Sequence, residues 1–190
     1  MGTRGFVGFI IDGTEKITYN HWDSYPTGLG AQVVEAILSE HVTPDAVREL
    51  TMITDKVPPT PEEQRKLARW ADTGVDDGKL SNWYVLLRQT QGDIVAMLKA
   101  GYAEDASYFP LDSLFAEWGY ILDMDTMTLE VYQGFQHSPH TAGRFASRTV
   151  TDEYARDNGY YPCALIAVYP MLGGLPDATE LARLESSDEG

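Results

Sequence analysis

An α+β fold with a largely antiparallel sheet is what this sequence predicts, and three observations carry that reading. An apolar stretch, Gly5 to Ile11, runs through Asp12-Gly13 into a returning arm, Lys16 to Asn20. A second pair of arms, Trp118 to Asp123 and Thr128 to Phe135, has the same build. The helical segments cluster between the two pairs instead of alternating with single strands. Hairpins imply antiparallel neighbours, since parallel ones need long crossovers.

The opening strand is almost continuously apolar and rich in Phe, Val and Ile, as a buried strand should be. Asp12-Gly13 supplies the positive φ angles of a tight hairpin turn. After Tyr19–Pro26 and Gly28-Leu29-Gly30, the spacing of Val33, Val34, Ile37, Leu38 and His41 predicts an amphipathic helix. Thr43-Pro44 reads as an N-cap opening a short helix to about Leu50. Thr60-Pro61-Glu62-Glu63 repeats the signal as a capping box. Its helix is expected to run to Ala71 and to bury Leu67, Trp70 and Ala71. A surface loop, Thr73 to Lys79, follows.

Trp83 to Arg88 reads as helical, and Asp93 to Gly101 as a helix ended by its glycine. Tyr102 to Phe115 has no clear period. Trp118, Tyr120 and Leu122 alternate in one arm of the second hairpin, with Leu129, Val131, Gln133 and Phe135 in the other. Gln136 to Thr151 is polar and irregular. Cys163 to Tyr169 is apolar throughout and predicts a central strand, and Pro176 to Glu185 a last helix. In all this makes about five strands and five or six helices. One domain over residues 1–185, with a disordered acidic tail at 186–190, is the expected organisation.

A formal charge of −15, from 29 acidic and 14 basic side chains, sets the chain against direct binding to phosphate backbones. The acidity fits a solvated surface, or else a mimic of nucleic acid that occupies a basic partner. Single Cys163 excludes an internal disulfide and a Cys-rich zinc site. No apolar run reaches the ~18–20 residues of a membrane span. The start, Met1-Gly2-Thr3-Arg4, does not read as a secretory signal, and Phe6 stands where a myristoylation motif wants Ser or Thr. A cytoplasmic, reduced setting is expected.

The segment that carries the most chemistry is Tyr19-Asn20-His21-Trp22-Asp23-Ser24-Tyr25-Pro26. It leaves a strand end and enters a helix. His21 and Asp23 pair an imidazole, which titrates near neutral pH, with a carboxylate able to orient it, and they are the candidate catalytic residues. Tyr19, Asn20, Trp22, Ser24 and Tyr25 are the candidate ligand contacts. Arg4, at the start of the paired strand, would add an anion contact. Gly28 and Gly30 would let a ligand approach the backbone at a helix N-terminus. Against this stands a structural role for the same residues, with Trp22, Tyr25 and Pro26 plugging the sheet edge and His21 and Asp23 capping a turn.

Other constellations weaken on inspection. His137-Ser138-Pro139-His140 places two imidazoles three residues apart, but Pro139 prevents regular helical presentation, so no metal or cofactor is assigned. Ile121 to Thr126 resembles the Asp-x-Asp nucleophile motif of haloacid-dehalogenase-type phosphatases. Met127 stands where that motif wants Thr or Val, so the likeness is set aside. Nothing near Cys163 in sequence would lower its pKa. An N-terminal nucleophile hydrolase would need Thr3 exposed as the first residue, and removal of Met1 alone leaves glycine.

The pattern Met1-Gly2-Thr3-Arg4-Gly5, Asp12-Gly13, Tyr19 to Pro26 and Gly28-Leu29-Gly30 resembles a loose group of uncharacterised proteins from bacteria, their phages and fungi. These begin with a Thr-Arg motif and carry a Trp-Asp-Gly/Ser-Tyr-Pro segment before a helix. Trp118 to Asp123 and Leu129 to Tyr132 are similar to that group as well. The resemblance implies that the Trp22–Pro26 segment recurs, and it transfers no catalytic residue. The reading is therefore a site for a small, nucleotide-like or otherwise anionic ligand at Tyr19–Pro26, with hydrolysis open to His21 and Asp23. The alternative is a non-enzymatic acidic inhibitor or interaction protein, such as a phage or bacterial accessory factor. Either a small molecule or a protein is the expected partner, and the residues leave the oligomeric state open.

Overall fold

The computed structural model describes residues 2–148 and 159–186. Its strands are β1 (Gly5–Ile11), β2 (Thr14–Asn20), β3 (Thr51–Ile53), β4 (Tyr102–Glu104), β5 (Trp118–Asp123), β6 (Thr128–Gln133) and β7 (Ala164–Pro170). The helices are α1 (Ala31–Leu38), α2 (Pro44–Glu49), α3 (Pro61–Leu67), α4 (Trp83–Leu86), α5 (Ile94–Ala100) and α6 (Ala178–Ser186). The main sheet has the order β2-β1-β5-β6-β7, antiparallel except for β1 beside β5. This is an α+β architecture.

Both expected hairpins form. Asp12 and Gly13 take φ values of 51° and 71°, the positive angles that let β1 reverse tightly into β2. The parallel β1–β5 pair is explained by the long segment between β2 and β5, which carries α1 to α5 and returns the chain alongside β1. That placement accounts for the unbroken apolar run of β1. Val7, Phe9 and Ile11 join a core with Val33, Val47, Ile94 and Met97 from α1, α2 and α5. Phe6 and Ile10 point the other way, into a core with Phe109, Tyr132, Phe145 and Cys163. A strand covered on both faces needs no polar alternation.

The caps fall where the sequence puts them. Thr43 Oγ1 accepts from Ala46 N–H at 3.2 Å, Thr60 and Glu63 form a capping box, and Asp93 caps α5 through Ala96 N–H at 2.8 Å. Gly101 ends α5 in the left-handed conformation. Lys16 Nζ donates to the carbonyls of Val47, Arg48 and Leu50, fastening the end of α2 to β2.

Four expectations are corrected. The C-terminal strand is not central. β7 lies at the edge, where its residues alternate between covered and exposed, with Ile166 and Val168 facing out. An apolar run alone does not say whether both faces are covered. Secondly, α1 buries Val33 and Ala36 and leaves Leu38 exposed, and His41 lies beyond its end, because the helix stops at Leu38. Thirdly, Tyr102–Phe115 holds β4, which pairs in parallel with β3 as a small second sheet. Finally, Ser186 belongs to α6, with its Oγ donating to the Ala182 carbonyl; residues 187–190 of the expected tail lie outside the described residues. So does the part of the irregular Gln136–Thr151 stretch beyond residue 148.

Candidate functional site

β2 is an edge strand, and a cavity of about 480 Å³ opens beside it. The walls come from β2, the segment after α4, the start of α5 and the stretch from β4 to Phe115. Of the residues singled out from sequence, Arg4, Tyr19 and His21 line it. The pairing of Gly5 with Asn20 explains why, since it sets Arg4 level with His21 at one end of the β1–β2 ladder. Gly92 closes on the same end, where a Cβ would meet Asn20 Oδ1 at 2.8 Å. A φ of 78° adds to the demand for glycine there.

Asn20 and Ser24 have a different task. Both are buried, and Asn20 Nδ2 donates to the Trp22 carbonyl and, at 2.8 Å, to Ser24 Oγ. Ser24 N–H donates to the Thr3 carbonyl, and the Ser24 carbonyl accepts from Tyr120 Oη–H at 2.9 Å. These bonds fold the loop and fill its interior. Trp22, 52% exposed, and Tyr25, 39% exposed, lie outside the cavity walls.

Asp23 is not brought to His21. No hydrogen bond joins the two, and Asp23 does not line the cavity. It holds a φ of 48° while its carbonyl accepts from Leu29 N–H at 2.8 Å, so its structural contribution is a turn. Two residues along a chain that has just left a strand and reversed need not share a direction. His21 Nδ1 instead meets Tyr19 Oη at 2.7 Å.

The expected anion position at the helix start is also taken. Pro26–Gly30 forms one wide π-helical turn ahead of α1, and the carboxylate of Glu185 from α6 accepts from Thr27 N–H at 3.3 Å and Oγ1–H at 2.6 Å. Gly28 packs on the Asp23 carbonyl and Gly30 on the Tyr120 ring. Their missing side chains make room for the fold, and not for a ligand.

What the sequence reading missed is the opposite wall. Tyr84, Arg88, Gln91, Glu104, Asp105, Tyr108 and Phe115 complete the cavity. One signal was available: Tyr84 and Arg88 are spaced i, i+4, which on a helical turn sets them on one face. Arg88 indeed lies over the Tyr84 ring at 5.5 Å, and Arg4 over Phe115 at 5.5 Å. Arg88 Nη1 also donates to Gln91 Oε1 at 2.6 Å. Neither Arg4 nor Arg88 has a carboxylate within ion-pair distance among the described residues.

The charges act on the rings between them. Loss of solvent at the wall, then the positive charges of Arg4 and Arg88, hold the His21 imidazole below its ordinary value, which favours the neutral ring. Loss of solvent keeps the Tyr19 phenol protonated, against the pull of Arg4. At the other end, desolvation and then Asp55 push the Glu104 carboxyl up. The Tyr108 phenol is raised by desolvation and then by Glu104, Asp55, Asp105 and Asp112.

The remaining sequence candidates are used by the fold. His140 Nε2 bonds the Pro162 carbonyl at 2.7 Å and its Nδ1 accepts from Ala142 N–H, while His137 packs on Tyr160. Among the described residues no group of three or more His, Cys, Asp or Glu could hold a metal ion. Asp123 Oδ1 accepts from the backbone of Asp125 and Thr126, and the Asp125 carboxylate accepts from the backbone of Asp12 and Gly13, tying the two hairpin turns together. Cys163 is fully buried, its thiol pushed up by burial. No helix among the described residues is long and apolar enough to cross a membrane. No family model, curated protein or solved structure matches the chain.

Proposed function

We propose that the protein binds a small molecule with an anionic group and a flat or aromatic body, nucleotide-like ligands included, in the cavity beside β2. One observation carries the reading. In a chain of net charge −15, Arg4 and Arg88 both line one cavity and neither is paired with a carboxylate among the described residues. Among the described residues Arg48, Arg144, Arg148 and Arg183 are each held by a carboxylate, whereas Arg4 and Arg88 face one cavity without one, an arrangement that favours an anion from outside. Tyr19, Tyr84, Tyr108 and Phe115 supply rings for a flat body. The volume, about 480 Å³, is within the usual range of ligand pockets.

Binding is better supported than hydrolysis, because a base needs a partner that orients it, and His21 has Tyr19 there in place of Asp23. The test is isothermal titration with AMP and with adenosine, on the wild type and on an Arg4→Gln/Arg88→Gln variant. AMP binding that exceeds adenosine binding at least tenfold, and a difference abolished in the variant, is expected. Equal binding of the two by the wild type removes the proposal.

A further inference from the structure

The cavity has two ends of opposite charge, and their spacing can be read from the backbone. Arg4 is level with His21, because Gly5 pairs with Asn20. Gly92, packed on Asn20 Oδ1, brings the Arg88–Gly92 turn to that same end. The other end is fixed by a single bond: Ala106 N–H donates to the Ile17 carbonyl at 2.8 Å, which sets Glu104 and Asp105 beside Ile17. Ile17 and His21 are four residues apart on β2 and its extension. At ~3.3 Å per residue the two levels are separated by roughly 13 Å. Thr18 and Tyr19 line the cavity between them.

The side chains keep this polarity. Arg4 and Arg88 both act on the His21 ring, and no carboxylate figures among the charges that act on it. Glu104, Asp55, Asp105 and Asp112, the last also on the cavity wall, act on Tyr108, and no arginine does. No cation lies within ion-pair distance of Glu104 or Asp105 among the described residues, while Asp93 at the same cavity is already used as the cap of α5. The Asp105 carboxylate accepts only from Ser107, its neighbour in the same turn, among the described residues.

Resting on the anion-binding reading above, we infer that the ligand is an elongated zwitterion. Its carboxylate or phosphate lies against Arg4 and Arg88, its ammonium against Glu104 and Asp105, and its apolar or aromatic middle against Tyr19. An α-amino acid is too short to span the ends. A tripeptide, at ~3.3–3.6 Å per residue, covers roughly 10 Å, and the side chains lining the two ends reach inward to close the remainder.

Titration calorimetry with four probes tests this: Gly-Phe-Gly, its N-acetyl derivative, its C-terminal amide, and AMP as an anion with a flat ring and no positive end. The tripeptide should bind at least tenfold more tightly than its N-acetyl derivative and than AMP. A Glu104→Gln/Asp105→Asn variant, checked for an unchanged melting temperature, should erase the first difference by weakening the free tripeptide alone. Equal binding of the free and acetylated peptides, with the amide much weaker, overturns the zwitterion and leaves the anion site standing. An amide that binds as well as the free peptide overturns the anion site as well, as does binding of none of the four.

Discussion

Two arginine-bearing regions of this molecule use the same side chain to opposite ends. On the β5–β6 face, Arg144 reaches Asp123 at 2.8 Å and Glu130 at 2.6 Å, and Tyr132 Oη–H donates to the same Glu130 carboxylate at 2.7 Å. Arg148 pairs with Glu15 on β2. Both cations are consumed, and they hold an irregular stretch of chain against the sheet. Beside the cavity, Arg4 and Arg88 lie over aromatic rings, and neither has a carboxylate within ion-pair distance among the described residues. A paired arginine reports on the fold, and an unpaired one facing a cavity reports on what enters it.

The largest effect that would break this contrast is on stability. Arg144→Met leaves Asp123 and Glu130 without their cation and should cost about 3 kcal/mol in urea unfolding, with ligand binding retained in the folded fraction. The Arg4→Gln/Arg88→Gln variant is expected to do the reverse. Affinity for an anionic ligand should fall about a hundredfold, roughly tenfold per charge, while stability changes by less than about 1 kcal/mol. A variant at the cavity as destabilising as Arg144→Met would show that Arg4 and Arg88 are structural after all.

A smaller effect is readable at His21. Its folded value is depressed, so a ring-proton NMR titration should place its midpoint below the ordinary 6.5 in the free protein. A bound anion favours the charged ring and should move that midpoint up. By the same linkage, affinity for the anion should rise as pH falls through the midpoint. A midpoint unmoved by saturating ligand would mean the anion sits away from His21. The smallest expected effect is at Asp23, whose φ of 48° suits glycine. Asp23→Gly should change stability by less than about 0.5 kcal/mol and leave affinity untouched, as thermal melts and calorimetry will report. Loss of binding there would restore the imidazole–carboxylate pair that the fold separates.

The sequence by itself determined what depends on neighbours along the chain. Turn chemistry at Asp12-Gly13, caps at Thr43, Thr60 and Asp93, the glycine stop at Gly101 and the strand period of Trp118–Leu122 are local, and each is found in its place. Three residues of the cavity wall, Arg4, Tyr19 and His21, were legible for the same reason, since they flank one hairpin. Tertiary structure alone decided the rest. Whether β7 is covered on one face or two depends on a neighbour absent from its own sequence. Asp23 and His21 part because the chain turns between them, and Glu104 and Asp105 arrive from a segment with no clear period of its own. Glu185, more than 150 residues away, takes the helix start that local reading left open for an anion. Contacts distant in sequence are set by how layers pack, and no local pattern encodes them.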